Sequence, residues 1–196
     1  MTSCGIKRLS FASRSAGHCG DTGINFDLQK EKACMKSSIL SKKEMQYILQ
    51  GARRNKEEFG SLHPAIFVRT TTGEKLVCMI KLPGEPEAKQ KYLRSLFESF
   101  KQDGHEVSEA VLVSESWTVI GMSADLEQAP SQHPERIEVI MVAGRDAEGK
   151  TFSLVIQPFE VRSGEINWKK AVLEMYNKSV QSKTSMRGLL DYFFEK

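Results

Sequence analysis

Apolar positions follow no sustained period over residues 1–40 and become helical from Ser41 onward. The sequence SKKE at residues 41–44 is typical of a capping box, in which Ser41 and Glu44 each bond to the other's backbone. The apolar residues that follow recur at three- and four-residue spacing: Met45, Ile48, Leu49 and Ala52. This pattern predicts a helix that begins after Ser41 and ends at Gly60.

A strand pattern replaces the helical one beyond Pro64. Residues 65–82 contain two β-rich runs joined by a Thr-Gly turn, which predicts a hairpin. Pro86 then suits the first turn of a second helix. Its apolar stripe is formed by Leu93, Leu96, Phe97 and Phe100. Gly104 marks its end.

The second half of the chain contains three further apolar runs, at residues 107–121, 136–144 and 151–161, and each predicts a strand. After Ser163 and Gly164, Asn167 suits the N-cap of a helix that reaches residue 180, and a short helix follows at 188–196. The predicted order is α-β-β-α-β-β-β-α-α. It indicates an α+β fold with a single, mostly antiparallel sheet of about five strands packed by helices.

Charge divides the chain into a basic tail, residues 1–40, and a neutral body, residues 41–196. The tail carries six basic and three acidic residues, which accounts for the whole net charge of +3. A neutral body has no general electrostatic reason to bind nucleic acid. We therefore expect a flexible basic tail and a single globular α+β domain.

Two other interpretations of the tail stay open. Residues 1–20 contain three basic and no acidic residues together with several serines, which is the composition of an organelle-targeting segment. Alternatively, Met35 is the true start, because the composition changes there, and the first 34 residues are an upstream extension.

The composition predicts a soluble, cytoplasmic protein without a membrane segment. No run of 18 apolar residues is present, and the N-terminus lacks the apolar stretch of a secretory signal. The cysteines form no C-x-x-C pair, and Cys78 within KLVCMIKL is expected to be a small, buried and unreactive residue.

A long polar connection, residues 121–135, separates two of the most apolar predicted strands. Prolines at positions 130 and 134 flank residues 131–133, and each proline restricts the residue before it. We therefore expect His133 to be held in a stiff loop. Because long loops carry function more often than short ones, this connection is a candidate site, with a solvated crossover as the alternative.

The candidate binding rim consists of residues in this connection and in the two strands beside it: Glu115, Trp117, Ser131, His133, Glu135, Arg136, Glu138 and Arg145. His133 is a candidate base or ligand, the acidic residues supply carboxylates, and the two arginines can orient an anion. An acid beside a tryptophan is a common pocket lining, although a bulge or an edge strand also explains residues 114–117. An ion pair, for example with Arg136, accounts for Glu138 as well as catalysis does.

Known catalytic motifs are missing from the sequence. It contains no phosphate-binding loop, no G-x-G-x-x-G, no H-E-x-x-H and no G-x-S-x-G. The sequence accordingly predicts no cofactor and no metal, and it does not decide whether the protein is an enzyme.

The C-terminal segment is apolar on nearly every side, through Leu189, Leu190, Tyr192, Phe193 and Phe194. Such a helix needs burial either in its own core or against another chain. Our first hypothesis is a protein-binding or assembly module that contacts a protein partner or a second copy through this helix. The alternative is a small-ligand-binding or hydrolytic enzyme with its site at residues 121–138.

Overall fold

The computed structural model describes residues 7–8, 37–119, 133–177 and 189–194. In chain order, the elements are β1 (Lys7–Arg8), α1 (Lys42–Phe59), β2 (Ala65–Thr70), β3 (Lys75–Met79), α2 (Pro86–Gln102), β4 (Val107–Thr118), β5 (Ile137–Asp146), β6 (Thr151–Arg162), β7 (Glu165–Trp168), β8 (Val172–Asn177) and α3 (Leu189–Phe194).

The described strands form one antiparallel sheet in the order β1-β3-β2-β4-β5-β6-β7, and β8 also pairs with β6. This confirms the predicted α+β class and the antiparallel sheet. The described residues contribute eight strands to it, not about five. The additional strands are β1, which lies in the predicted tail, and β7 and β8, which lie where a helix was predicted.

Local sequence signals set the ends of α1, but only the Ser41 half of the predicted capping box forms, since Glu44 Oε1 accepts from Ser37 Oγ and Lys75 Nζ. The Ser41 hydroxyl accepts a hydrogen bond from the Glu44 backbone N–H at 3.3 Å. Gly60 adopts a left-handed φ of 71° and donates its N–H to the Lys56 carbonyl, which closes the helix. No helix in the described ranges is both long and apolar enough to cross a membrane.

The helices pack on both faces of the sheet because its strands alternate their side chains between two apolar clusters. The α1 cluster contains Met45 and Leu49 of the helix with Val111, Ile140 and Val155 of the central strands. The opposite cluster joins α2 and α3 to β2, β3 and β4. The sheet is therefore the middle layer of three.

Helix α3 buries its aromatic residues in the chain's own core. The Phe193 ring is fully buried and lies 5.1 Å from the Phe97 ring and 6.3 Å from the Phe100 ring, centroid to centroid. The Phe194 ring lies 5.5 Å from that of Phe97. The sequence allows this helix to be buried either in its own core or against another chain, and the structure shows it in its own core.

The helix predicted from Asn167 to residue 180 is wrong over its described residues, which lie in β7, in β8 and in the short junction between them. Ser163 and Gly164 both have positive φ, 53° and 86°, and Arg162 pairs with Glu165 across them. A two-residue turn with two positive φ values returns a strand along its neighbour. The hairpin therefore directs the chain along β6, and this pairing overrides the local helical spacing.

The folded part of the chain begins before Ser41. Ile39 and Leu40 are buried, the Ile39 N–H donates to Glu109 Oε2 at 2.8 Å, and the Leu40 carbonyl accepts from the Ser153 hydroxyl at 3.1 Å. Residues 1–6 and 9–36 of the predicted flexible tail lie outside the described residues.

Cys78 is fully buried in the cluster beneath α2, as its apolar neighbours predict. It is disulfide-bonded.

We predict that Phe193→Ala lowers the free energy of unfolding by about 3–5 kcal/mol, because it leaves a cavity between α2 and α3. Urea titration followed by circular dichroism measures the change. Phe59→Ala is the matched control: it deletes the same atoms from a side chain that is 64% exposed. The control should change stability by no more than about 0.5 kcal/mol. Equal losses in both variants would contradict the assignment of α3 to the core.

Candidate functional site

The pairing of β4 with β5 brings four of the predicted site residues together. Trp117 lies opposite Glu138, and Glu115 lies opposite Ile140. Because directly opposed residues and residues two apart share a face, these side chains lie on the face that α1 covers. The Arg136 guanidinium carbon stacks over the Trp117 ring, 4.8 Å from its centroid.

Helix α1 ends before it covers this end of the sheet. Phe59, its last residue, is 64% exposed, and Trp117 on β4 is 39% exposed. Val161 on β6 is 52% exposed and lies two positions beyond Phe159, which is opposite Glu138. We call this group the rim surface: Phe59, Trp117, Arg136, Glu138 and Val161.

An ion pair between a buried lysine and a partly exposed glutamate lies beneath the rim surface. Lys56 of α1 is only 6% exposed, and its Nζ lies 2.7 Å from Glu115 Oε1. The same ammonium group lies 4.9 Å from the centroid of the Phe159 ring. The second oxygen of Glu115 accepts the Leu62 N–H at 3.3 Å. Both carboxylate oxygens are therefore engaged in holding α1 and the segment after it on the sheet.

An aromatic row continues from the rim surface across the sheet. Phe159 lies opposite both Glu138 and Trp168, and the Phe159 and Trp168 ring centroids are 5.4 Å apart. Trp168 Nε1 donates to Glu57 Oε1 at 2.6 Å, and the Arg53 guanidinium lies 4.6 Å from the Trp168 ring centroid. Each of the two tryptophans in the chain thus has an arginine stacked on it.

Sequence reasoning missed Lys56 and Trp168, although Lys56 had a detectable signal. It continues the apolar stripe of Met45, Leu49 and Ala52 at helical spacing. A lysine on an inward-facing stripe requires a buried acidic partner. Trp168 was not assigned to the site because its segment was interpreted as the start of a helix.

Arg145 does not belong to this group. It lies opposite Ala110, toward the other end of β5, and alternation places it on the face of α2 and α3. There its guanidinium forms an ion pair with Asp191 of α3 and lies 5.9 Å from the Phe194 ring centroid. Arg145 thus fastens α3 to the sheet.

His133 and Glu135 form a turn that leads into β5. The Glu135 N–H donates to His133 Nδ1 at 3.1 Å, and the Arg136 N–H donates to the His133 carbonyl at 3.2 Å. Glu135 is exposed. Ser131 and the predicted loop up to residue 132 lie outside the described residues.

Residues 114–118 of β4 stay in continuous register with β5, so the structure shows no bulge between these strands there. The pairing of β2 with β4 stops at Val113. Among the described strands, this part of β4 is therefore paired on one side only, which agrees with the edge-strand alternative. Nowhere in the described ranges do three His, Cys, Asp or Glu side chains form a group that could hold a metal ion.

Comparison with known proteins adds no identification. No protein-family model matches the chain, and no curated protein or solved structure is found to be similar. The function must therefore be argued from the geometry.

We predict that Glu115→Gln lowers the free energy of unfolding by about 2–3 kcal/mol, because Lys56 loses its counter-charge while the Leu62 N–H keeps an acceptor. The double variant Lys56→Met/Glu115→Gln should be less destabilised than Glu115→Gln alone, since no unpaired charge is left. Urea unfolding of the four proteins of this cycle measures the coupling.

The exposed pair of Lys101 and Glu98 is the matched control, since its N–O distance is also 2.7 Å. Lys101→Met and Glu98→Gln should change stability by less than about 0.5 kcal/mol each. Zero coupling between Lys56 and Glu115 would refute a stabilising role for their ion pair.

Proposed function

We propose that this chain is a protein-binding module that docks a partner on the rim surface. The observation that carries the proposal is the partly exposed Trp117 with Arg136 stacked on its ring, at an end of the sheet where Phe59 and Val161 are also exposed. Tryptophan and arginine are enriched among the residues that dominate binding energy at protein interfaces.

The charges of the rim surface favour a protein partner over a polyanion. It carries one basic and one acidic residue, Arg136 and Glu138, and Lys56 beneath it is neutralised by Glu115. A surface with one positive and one negative charge does not attract a phosphate backbone electrostatically. Interfaces between proteins, in contrast, combine an apolar centre with a polar rim. The partner we infer presents apolar side chains to Phe59, Trp117 and Val161.

The strands and the ion pair beneath the rim surface hold its side chains in place, which limits the conformational entropy lost when a partner binds. Trp117 and Glu138 lie on paired strands, and the ion pair of Lys56 with Glu115 holds the end of α1 above them. Groups that are already held in place lose little conformational entropy when a partner arrives.

We assign the contact to the rim surface and not to the C-terminal helix, because Leu190 and Phe193 are already buried within the chain. No observation favours the hydrolytic alternative in the same way. Glu115 has one oxygen bound to Lys56 and the other to the Leu62 N–H. His133 Nδ1 accepts the Glu135 N–H.

We predict that Trp117→Ala weakens partner binding by at least about tenfold while leaving the fold intact, as expected for the loss of a central aromatic contact. The assay compares proteins retained from host extract by immobilised wild type, Trp117→Ala and Tyr47→Ala, with quantitative mass spectrometry. Tyr47 is the control because it is an exposed aromatic residue near the other end of α1.

Support requires a protein that wild type and Tyr47→Ala retain equally and that Trp117→Ala loses. Its purified form should then quench tryptophan fluorescence on titration. If every retained protein binds Trp117→Ala as it binds the wild type, the rim surface is not the docking site.

A further inference from the structure

The last part of β4 directs backbone hydrogen-bonding groups away from β5. In an antiparallel ladder, the N–H and C=O of one residue point to the same neighbouring strand, and those of the next residue point to the other side. The Ser108 carbonyl accepts the Ala147 N–H on the side of β5. Because the register with β5 is continuous as far as Thr118, the backbone groups of Glu115 and Trp117 point to the opposite side.

No described strand occupies that opposite side. The pairing of β2 with β4 ends at Val113. The chain that enters β2 lies over the α1 face, since Leu62 packs in the α1 cluster and donates its N–H to the Glu115 carboxylate. The Trp117 carbonyl accepts the hydroxyl of Ser116, its own neighbour, at 3.4 Å. Among the described residues, the outward backbone groups of β4 therefore have no strand opposite them.

This edge lacks the features that usually prevent a sheet edge from pairing. Natural proteins commonly protect such edges with a lysine, a proline or a bulge. Residues 114–118 are Ser-Glu-Ser-Trp-Thr, and they pair with β5 without a bulge. The charged side chain of Glu115 is held by Lys56 on the α1 face. The edge is therefore a template for a further strand.

We propose, on the basis of the docking function inferred above, that the partner binds through an extended segment that adds to β4 as a strand. The segment runs antiparallel to β4, as β2 and β5 do. Its backbone bonds to the outward N–H and C=O groups of Glu115 and Trp117. Its side chain opposite Trp117 lies on the α1 face, where an apolar residue contacts the indole. In this mode of recognition, main-chain hydrogen bonds supply affinity and alternate side chains supply specificity.

A second copy of this chain fits the edge less well than a separate peptide segment. Only a twofold axis at Ser116 pairs all of residues 114–118 with the same residues of another copy. That axis brings Val119 of each copy opposite Val113 of the other, where Ala65 already lies. A short segment of a different protein ends or turns before it reaches Ala65.

The test removes one outward donor of the edge and keeps the indole. Nonsense suppression with indole-3-lactic acid at position 117 replaces the amide by an ester, which lacks the N–H. The probes are linear peptides selected from a phage-displayed random library on immobilised full-length protein, and those that Trp117→Ala binds more weakly are retained. We predict that the ester protein binds them about three- to tenfold more weakly than the wild type, as expected for one lost hydrogen bond.

Isothermal titration calorimetry measures the dissociation constants, and circular dichroism confirms that each protein is folded. The matched control is protein made by the same suppression with tryptophan at position 117, which should bind like the wild type. Nuclear magnetic resonance of the complex gives a second measurement. Antiparallel addition places the Ser116 Hα beside an Hα of the peptide, because even-numbered residues of β4 form the non-hydrogen-bonded pairs on this side. We expect a nuclear Overhauser effect between these two protons.

Equal binding by the ester and control proteins would overturn strand addition, and so would a helical bound peptide or a selection that yields no peptide. If Trp117→Ala still loses the partner from host extract in any of these cases, docking on the rim surface stands without the added strand. A full-length dimer that the ester weakens would identify a second copy as the occupant and would also overturn the proposal.

Discussion

The antiparallel register between β4 and β5 is the constraint on which the candidate site depends. A slip of one residue would move Glu138 to the opposite face, away from Trp117. Both faces of β5 are largely apolar, so hydrophobic alternation specifies this register only weakly. Gly144 supplies part of the missing specification, because a Cβ at that position would lie 2.6 Å from Leu40 Cδ2. With Ala143 or Arg145 there instead, the Leu40 side chain would have to move away from the sheet.

The sequence predicts the parts of the fold that are determined locally. Ser41 and Gly60 delimit α1 through short-range backbone hydrogen bonds, and Pro86 begins α2. These boundaries can therefore be predicted from the local sequence alone. Residues 167–180 show the limit of this reasoning. Val172, Met175 and Tyr176 fit a helical period, but the turn at Ser163 and Gly164 brings the segment against β6, and the sheet decides its conformation.

Some residues of the candidate site could also be predicted from the sequence, and others could not. Trp117 and Glu138 were predictable neighbours because alternation within each strand assigns their faces and the two strands follow each other in the chain. Arg145 lies apart from this group, and its partner Asp191 is distant in sequence. Lys56 was missed for a similar reason: its partner Glu115 lies 59 positions away.

The rim surface and the β8 edge occupy different parts of the molecule. Val161 and Trp117 lie at the end of the sheet where α1 stops, whereas Val172 lies at the lateral edge on the opposite face.

The carboxylate of Glu115 joins three parts of the chain. One oxygen contacts the ammonium group of Lys56, and the other accepts the Leu62 N–H. This single group therefore ties β4 to the last turn of α1 and to the chain entering β2, at a residue only two positions from the exposed indole.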